Sequence, residues 1–218
     1  MLYQSLILSF GIQTTVLLID IYGLNIKIPK DKLLFNQLLK MELGVQLVEM
    51  IFYVFIIYNF SSINNITPKR YYDWVITTPI MLVTLIAYLD SDSRQYKDIF
   101  EFISTHKTIL KKIVVANLAM LSFGLLGEYG IINLAIYLGF IPFIYYFYLI
   151  YQHYIEDKKE AKDKKPLYWF FFVVWALYGI SAFLPYVLKN TAYNILDIFS
   201  KNGFGVFLVY VIWTNRIK

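Results

Sequence analysis

Two pairs of ionisable residues lie inside apolar stretches of the chain. Arg70 and Asp73 begin the stretch RYYDWVITTPIMLVTLIAYL, and Asp197 and Lys201 are four residues apart in LDIFSKNGFG. Charged side chains in a membrane are costly, so such groups usually face one another and serve a function. Two nearby carboxylates would keep a buried lysine amine charged, and a lysine in apolar surroundings is suited to forming a Schiff base with an aldehyde. The pattern predicts a lysine imine between Asp73 and Asp197, with a structural ion pair between helices as the alternative.

The composition indicates an integral membrane protein built from helices. Hydrophobic residues make up 59% of the 218 residues and charged residues 16%, whereas roughly a quarter of the residues in a soluble domain are charged. The apolar residues come in blocks long enough to span a bilayer. The chain has no cysteine, which excludes disulfides and thiolate chemistry. His106 and His153 stand alone near segment ends, which argues against a metal cluster.

Seven apolar segments predict an all-α bundle of seven transmembrane helices, in a single domain of residues 1–218. The breaks between the segments carry turn residues or charges, such as NIKIPKDK, DSDSRQYKD and KNT. We place the segments at residues 3–24, 35–60, 71–89, 108–127, 131–154, 167–188 and 191–216.

The basic residues predict how the bundle sits in the membrane. Most of them fall in or beside the first, third and fifth loops and the C-terminal tail, whereas the opposite side has only Lys69 and Lys189, with Arg70 at its edge. Because basic loops stay in the cytoplasm, we expect the N-terminus outside and the C-terminus in the cytoplasm. Topology then explains the net charge of +5. Membrane lipids are the expected surroundings, and no nucleic-acid partner is expected.

Four polar residues of the third segment share one helical face. Arg70, Asp73, Thr77 and Thr84 are separated by three, four and seven residues, spacings that bring side chains to one side of a helix. In the predicted orientation Arg70 lies outward of Asp73, and Thr84 lies toward the cytoplasm. Together with the acid and the lysine of the seventh segment, this face carries more charge than packing requires.

The second segment carries a polar stripe formed by Glu42, Gln46 and Glu49, at spacings of four and three residues. Facing the bundle interior, the stripe would line a wet seam with Ser9 of the first segment and Asn202 beside the lysine. Acidic side chains along a constriction favour cations. Two alternatives stay open: a Glu42 carboxylate that reaches the cytoplasmic interface, and a Glu49 that is a protonated, hydrogen-bonded acid of the core.

The motif R-Y-x-D-W-x-x-T-T-P, followed by D-x-x-x-K in the seventh segment, resembles the microbial (type 1) rhodopsins across all seven helices. The resemblance implies that Lys201 binds all-trans retinal covalently as a Schiff base. Asp73 would be the primary counterion and proton acceptor, assisted by Thr77. Asp197 would be the second carboxylate, and Arg70 would lie outward of both.

The resemblance also implies which residues line the retinal. Two positions depart from the family pattern: Gly179 replaces a proline and Ala182 replaces a tryptophan, which leaves the ring end of the pocket undetermined. The expected lining residues are Trp74, Thr78, Met120, Trp175 and Tyr178, the last also able to hydrogen-bond Asp197.

Our functional prediction is a light-gated cation channel. The second segment resembles the glutamate-lined second helix of channelrhodopsins, and the small size resembles the rhodopsins of giant algal viruses, which implies the plasma membrane or another host-cell membrane. Ser9, Glu42 and Asn202 would form the central gate of the ion path, with Gln46 and Glu49 further outward. The resemblance also implies a homo-oligomer.

The alternative is a light-driven outward proton pump, in which Asp73 receives the Schiff-base proton. In the family's pumps the position eleven residues after the acceptor usually holds a carboxylate donor, and here it holds Thr84, which we assign instead to the ion path. A sensory rhodopsin ranks third, because no sequence feature identifies a docking face for a transducer. Lys201 argues against a seven-helix scaffold without a chromophore. We expect no enzymatic activity, and the transported species would be cations or protons.

Overall fold

A computed structural model describes residues 1–132, 134–156 and 158–217, with the backbone alone at residues 159–161. These residues form an all-helical bundle without strands. The seven long helices, named first to seventh in chain order, are Leu2–Leu24, Leu33–Tyr58, Thr67–Asp90, Lys107–Glu128, Ala135–Tyr154, Lys165–Ser181 and Tyr186–Thr214. Short helices stand at Lys30–Lys32, Ile99–Thr105 and Lys159–Lys164.

Six of the seven helices are long and apolar enough to cross a membrane. The sixth has 17 residues and is about 25 Å long at 1.5 Å per residue, which is at the short end of what a membrane span needs. Large apolar side chains cover much of the outer surface, among them Leu18, Ile51 and Ile141. The exterior of the bundle therefore suits lipid rather than water.

The helices pack in sequence order around a closed ring. Each contacts the next, and the first also packs against the seventh. The second helix contacts the seventh as well, and the third contacts the fifth. We call the end of the bundle that carries Met1 and Lys189 the N-terminal face, and the end that carries Asp90 and Arg216 the C-terminal face.

The predicted boundary between the sixth and seventh helices is wrong. We placed the break at Lys189–Thr191, whereas the sixth helix ends at Ser181 and the seventh begins at Tyr186, after Pro185 in an extended conformation. Two of the three polar residues that suggested a loop, Lys189 and Asn190, have partners within the bundle. Lys189 pairs with Glu128, so its charge does not require a loop.

Smaller differences affect the other boundaries. The third helix begins at Thr67, four residues before the predicted start, so Arg70 lies within its first turn. The fifth helix begins at Ala135, four residues later than predicted, and Gly130 precedes it with a positive φ of 66°. The short helix Ile99–Thr105 was not predicted; Asp98 caps it by accepting a hydrogen bond from the Glu101 N–H.

The seventh helix contains one π-helical turn, Ile198–Asn202. Such turns are rare within α-helices and often occur at functional sites. This one begins directly after Asp197 and includes Lys201 and Asn202. The local widening lies where the two ionisable residues of the seventh helix meet those of the third.

Candidate functional site

The amine of Lys201 lies in the centre of the bundle among three carboxylates. The side chain is 2% exposed, and Nζ is 2.5 Å from Oδ2 of Asp73 and 3.5 Å from Oδ1 of Asp197. The third carboxylate is Glu49, with Oε1 at 3.4 Å from Nζ. Spacing along the third and seventh helices predicted the first two. Glu49 was predicted only as a lining residue, because no spacing within one helix reveals that the second helix packs against the seventh.

Toward the N-terminal face, Arg70 and four partners form what we call the arginine network: Arg70, Tyr53, Asn190, Asn194 and Asp197. Arg70 Nε donates to Asn190 at 3.0 Å, Nη1 lies 3.4 Å from Asp197, and Nη2 donates to the Asn194 side chain. The Tyr53 hydroxyl donates to the same oxygen that Nη1 contacts, Oδ2 of Asp197, at 2.7 Å. Sequence reasoning missed Tyr53, which is on a helix outside the motif, and Asn190, which is in the supposed loop. It also missed Asn194, whose partners Arg70 and Tyr53 lie on other helices.

A cavity lies among the third to seventh helices and includes Lys201 in its wall. Small-molecule sites in proteins usually have mostly apolar walls. All five expected lining residues stand in this wall, namely Trp74, Thr78, Met120, Trp175 and Tyr178, together with Tyr71 and Tyr193. An apolar, aromatic cavity with a lysine amine in its wall fits a long hydrophobic aldehyde such as retinal.

One of the two departures from the family pattern, Gly179, has a structural explanation. A Cβ atom at Gly179 would lie 2.7 Å from the ring of Phe140, closer than atoms can pack. Phe140 occupies the space that a larger residue would need, and its ring stacks on Phe183 with an interplanar angle of 9°. Gly179, Ala182 and Phe140 all line the cavity. Phe140 of the fifth helix, rather than a large side chain of the sixth, therefore shapes the cavity beside Gly179 and Ala182.

The aromatic and hydroxyl residues of the cavity are held by specific hydrogen bonds. The Tyr178 hydroxyl donates to Oδ1 of Asp197 at 2.7 Å, as predicted, and lies 2.8 Å from Ser200. The Thr78 hydroxyl is 2.8 Å from both the Trp74 carbonyl and the side-chain oxygen of Asn117. Asn117, on the fourth helix, is fully buried and was not predicted.

Thr77 and Thr84 of the third helix also point into the bundle interior. Thr77 donates to the Asp73 carbonyl and Thr84 donates to the Ile80 carbonyl, each at 3.0 Å. Both threonines are fully buried. Thr84 also lies beside Glu42 of the second helix. The second helix therefore supplies a carboxyl group at the depth where the third helix supplies the Thr84 hydroxyl.

On the other side of Lys201, buried polar residues continue between the first, second and seventh helices. We call this set the polar seam: Ser9, Gln13, Asp20, Glu42, Gln46, Glu49, Asn194 and Asn202. All of these side chains are at most 1% exposed. Helical packing alone does not require eight buried polar residues, since each must be hydrogen-bonded or carry a penalty.

Among the described residues, the three members of the predicted central gate share no hydrogen bond with one another. Ser9 donates to the Tyr53 hydroxyl at 3.2 Å and to the Asn194 carbonyl at 3.1 Å, toward the N-terminal face. Asn202 donates to the Asp197 carbonyl at 3.3 Å. Both carboxyl oxygens of Glu42 are buried and accept no hydrogen bond from the described residues. Its complete burial argues against a carboxylate that reaches the interface.

His106 lies near the C-terminal face, between the short helix Ile99–Thr105 and the fourth helix. Its Nε2 atom is 2.8 Å from the Tyr96 hydroxyl and 3.2 Å from Asp90, and Nδ1 is 2.8 Å from the Tyr154 hydroxyl. Burial lowers the pKa of the imidazole, although Asp90 opposes the effect. The histidine that stands alone in the sequence thus ties the third loop to the helix ends. The described residues contain no cluster of three or more metal-binding side chains.

Sequence comparison places this geometry in a known family. The family described as "Bacteriorhodopsin-like protein" matches residues 4–215. The chain belongs to this microbial rhodopsin family. Among solved structures, the viral rhodopsin OLPVRII is 28% identical, with a TM-score of 0.83 over 98% of both chains. The blue light-absorbing proteorhodopsin from Med12 is 19% identical, with a TM-score of 0.75 over 98% of this chain and 96% of that one, and shares the fold.

Two curated relatives are bacterial. The green-light absorbing proteorhodopsin of Gamma-proteobacterium EBAC31A08 is 25% identical over 170 residues, and the blue-light absorbing proteorhodopsin of Gamma-proteobacterium Hot 75m4 is 25% identical over 171 residues. Each match covers 70% of this chain and 62% of the relative. This microbial rhodopsin therefore spans less than two thirds of the length of these relatives.

The family membership confirms several predictions. The chain has the seven-helix rhodopsin fold and is a multi-pass integral membrane protein surrounded by lipid, in a family of light-driven retinal proteins that includes ion transporters and photoreceptors. The light-driven activity of this chain, its binding of retinal at Lys201, the orientation in the membrane, the single domain of residues 1–218, the absence of enzymatic activity and the homo-oligomer stay predictions.

Proposed function

We propose that this microbial rhodopsin is a light-gated cation channel whose ions follow the polar seam. The observation that carries the proposal is the position of Lys201 between two unlike regions. The cavity wall comes from the third to seventh helices, whereas the seam lies between the first, second and seventh. A proton transfer at Lys201 needs only the groups around its amine. The additional row of buried amide and carboxyl side chains that leads away from the cavity is not needed for that transfer, and it favours passage of a cation.

In this proposal retinal is bound to Lys201 and supplies light absorption and a change of shape at the lysine nitrogen. Asp73, at 2.5 Å from Nζ, receives the proton of that nitrogen. Asp197 stays charged, because Arg70 and two tyrosine hydroxyls face it. Loss of the positive charge removes the partner of Glu49, at 3.4 Å. Glu49 is then free to rearrange, which couples the lysine to the seam.

The positive-inside bias supports an orientation with the N-terminal face outside. Cations would enter beside the arginine network, pass Glu49 and Gln46, and leave past Glu42 toward the cytoplasm. Glu42 then belongs to the inner half of the path rather than to a joint gate with Ser9 and Asn202. The carboxylates along this route disfavour anions.

A light-driven outward proton pump is the second candidate. The position expected to hold the proton donor is Thr84, yet Glu42 of the second helix lies beside it. A carboxylic acid at this place could resupply the proton from the C-terminal side. The short contact between Asp73 and Lys201 suits either function, so electrical measurement is needed to separate them.

The test is whole-cell voltage clamp of the full chain under illumination, with retinal supplied and external sodium exchanged for an impermeant cation. We expect a photocurrent that reverses sign with voltage and whose reversal potential follows sodium. Glu42→Gln and Glu49→Gln should each reduce this current by about tenfold, because each removes a carboxylate from a narrow path.

Two variants serve as controls. Glu101→Gln makes the same chemical change in the third loop, where the side chain is 37% exposed, and should leave the current unchanged. Lys201→Ala should form no pigment and give no photocurrent. A wild-type current that stays outward at every voltage and ignores sodium would contradict the channel and establish the pump.

A further inference from the structure

Asp20 is a buried acid that the sequence analysis did not single out. It is the only charged residue of the first helix, Leu2–Leu24, and it is fully buried. No lysine, arginine or histidine of the described residues pairs with it. Four residues from the end of its helix, an aspartate would ordinarily be expected at the membrane interface. The fold instead turns it toward the second and seventh helices.

The contacts of Asp20 make this point of the seam narrow. Gln46 Nε2 donates to Oδ2 of Asp20 at 2.5 Å. A Cβ atom placed on Gly205 of the seventh helix would lie 2.5 Å from the same oxygen, closer than real Cβ contacts. Three helices therefore meet closely here. A methyl group at position 205 would force the ends of the Asp20 and Gln46 side chains to move.

The polar groups around this contact are incompletely hydrogen-bonded. Four oxygen atoms here are buried and accept no hydrogen bond from the described residues. They are Oδ1 of Asp20, Oε1 of Gln46 and both carboxyl oxygens of Glu42. Gln46 is three residues, or about 4.5 Å along the helix, from the Glu49 that contacts Lys201. Glu42 lies one turn further toward the C-terminal face. Acceptor oxygens thus line successive turns, an arrangement that suits a cation moving stepwise.

We propose that Asp20 and Gln46, packed against Gly205, form the inner constriction of the polar seam, and that the Asp20 carboxylate binds the transported cation there. In the dark their hydrogen bond holds the first and second helices together and closes the path. The bond must lengthen for a cation to pass, and Asp20 then compensates the charge of the cation. This inference rests on the proposed function for its ion path.

Two variants test the constriction in the same voltage-clamp experiment. Asp20→Asn keeps the size and the hydrogen bond from Gln46 but removes the charge. We expect the photocurrent to fall by at least about fivefold and the reversal potential to lose its dependence on sodium. Gly205→Ala changes no charge, and its methyl group should reduce the current by a similar factor by filling the narrow point.

Gly44→Ala is the matched control for Gly205→Ala. Gly44 lies on the second helix two residues before Gln46, and nothing stands within 4 Å of a Cβ placed there. This variant should conduct like the wild type. An unchanged absorption spectrum will show that each variant forms the pigment, so that a lost current is not a failure to fold.

Light-minus-dark infrared spectroscopy of membranes separates the failure of this inference from failure of the channel proposal. It follows the Asp20 carboxyl band, identified by its loss in Asp20→Asn, without needing a current. If the wild-type current reverses with voltage, the protein is a channel, and the Asp20→Asn current tests the constriction: a current within about twofold of the wild type overturns the inference. If the wild-type current is only outward, the channel proposal fails, and the infrared band tests the role of Asp20. A band that changes on illumination supports Asp20 as a binding group for the proton, and an unchanged band leaves it a hydrogen bond between two helices.

Discussion

The arginine network and the inner seam satisfy their buried polar groups in opposite ways. We define the inner seam as Asp20, Glu42 and Gln46. In the arginine network the guanidinium and the Tyr53 hydroxyl contact Asp197, and two asparagine side chains accept hydrogen bonds from the guanidinium. In the inner seam one hydrogen bond joins two side chains, and Glu42 has no partner among the described residues. A saturated network holds one arrangement, whereas under-bonded acids gain from rearranging. We therefore expect the arginine network, on the N-terminal side of Lys201, to be rigid, and the inner seam, on the C-terminal side, to rearrange more easily.

The largest expected effect is loss of the arginine. Arg70→Ala removes one of the two cations that contact the buried Asp197, so the free energy of unfolding should fall by about 3–5 kcal/mol. Thermal or denaturant unfolding in detergent measures the loss. Arg94→Ala is the control, because its pair with Glu101 is exposed and should contribute about 0–1 kcal/mol. Equal losses in the two variants would show that the network is not a rigid unit.

A smaller effect is expected from one hydroxyl of the same network. Tyr53→Phe removes the hydrogen bond donated to Asp197 at 2.7 Å and the acceptor of the Ser9 hydroxyl. The free energy of unfolding should fall by about 1–3 kcal/mol, since the lost bond is made to a charged group. Tyr58→Phe, at an 88% exposed position of the same helix, should be neutral. If both variants unfold alike, the Tyr53 hydroxyl contributes nothing to the network.

The smallest effect, and of opposite sign, is expected in the inner seam. Glu42→Gln removes a buried carboxyl group that has no ion pair to lose, so stability should stay unchanged or rise by up to about 1 kcal/mol. Glu49→Gln is the matched control, because it does lose a contact to Lys201 and should destabilise. The same unfolding measurement applies to both. A clear loss of stability in Glu42→Gln would mean that this acid is bonded as tightly as the arginine network.

Spacing within single helices predicted the core of the site. Asp73 and Arg70 lie on one face of the third helix and Asp197 and Lys201 on one face of the seventh, and the structure brings them together as expected. The partners that come from other helices were missed. Glu49 was known only as a member of a stripe, and Asn190 was assigned to a loop because its neighbours are polar. Both errors have one cause: a polar residue looks unsatisfied until its partner on another helix is known.

Residue patterns were enough to predict the class of protein, the seven apolar segments and the lysine with its two acids, because helix length and helical periodicity are local properties that a membrane enforces. The packing of the helices was needed to find the third carboxylate, the end of the sixth helix and the burial of Asp20. These depend on which helix faces which, and on a single glycine whose missing side chain lets an acid of the first helix reach an amide of the second. Contacts between helices leave no periodic pattern in the sequence, so they can be identified only from the packed structure.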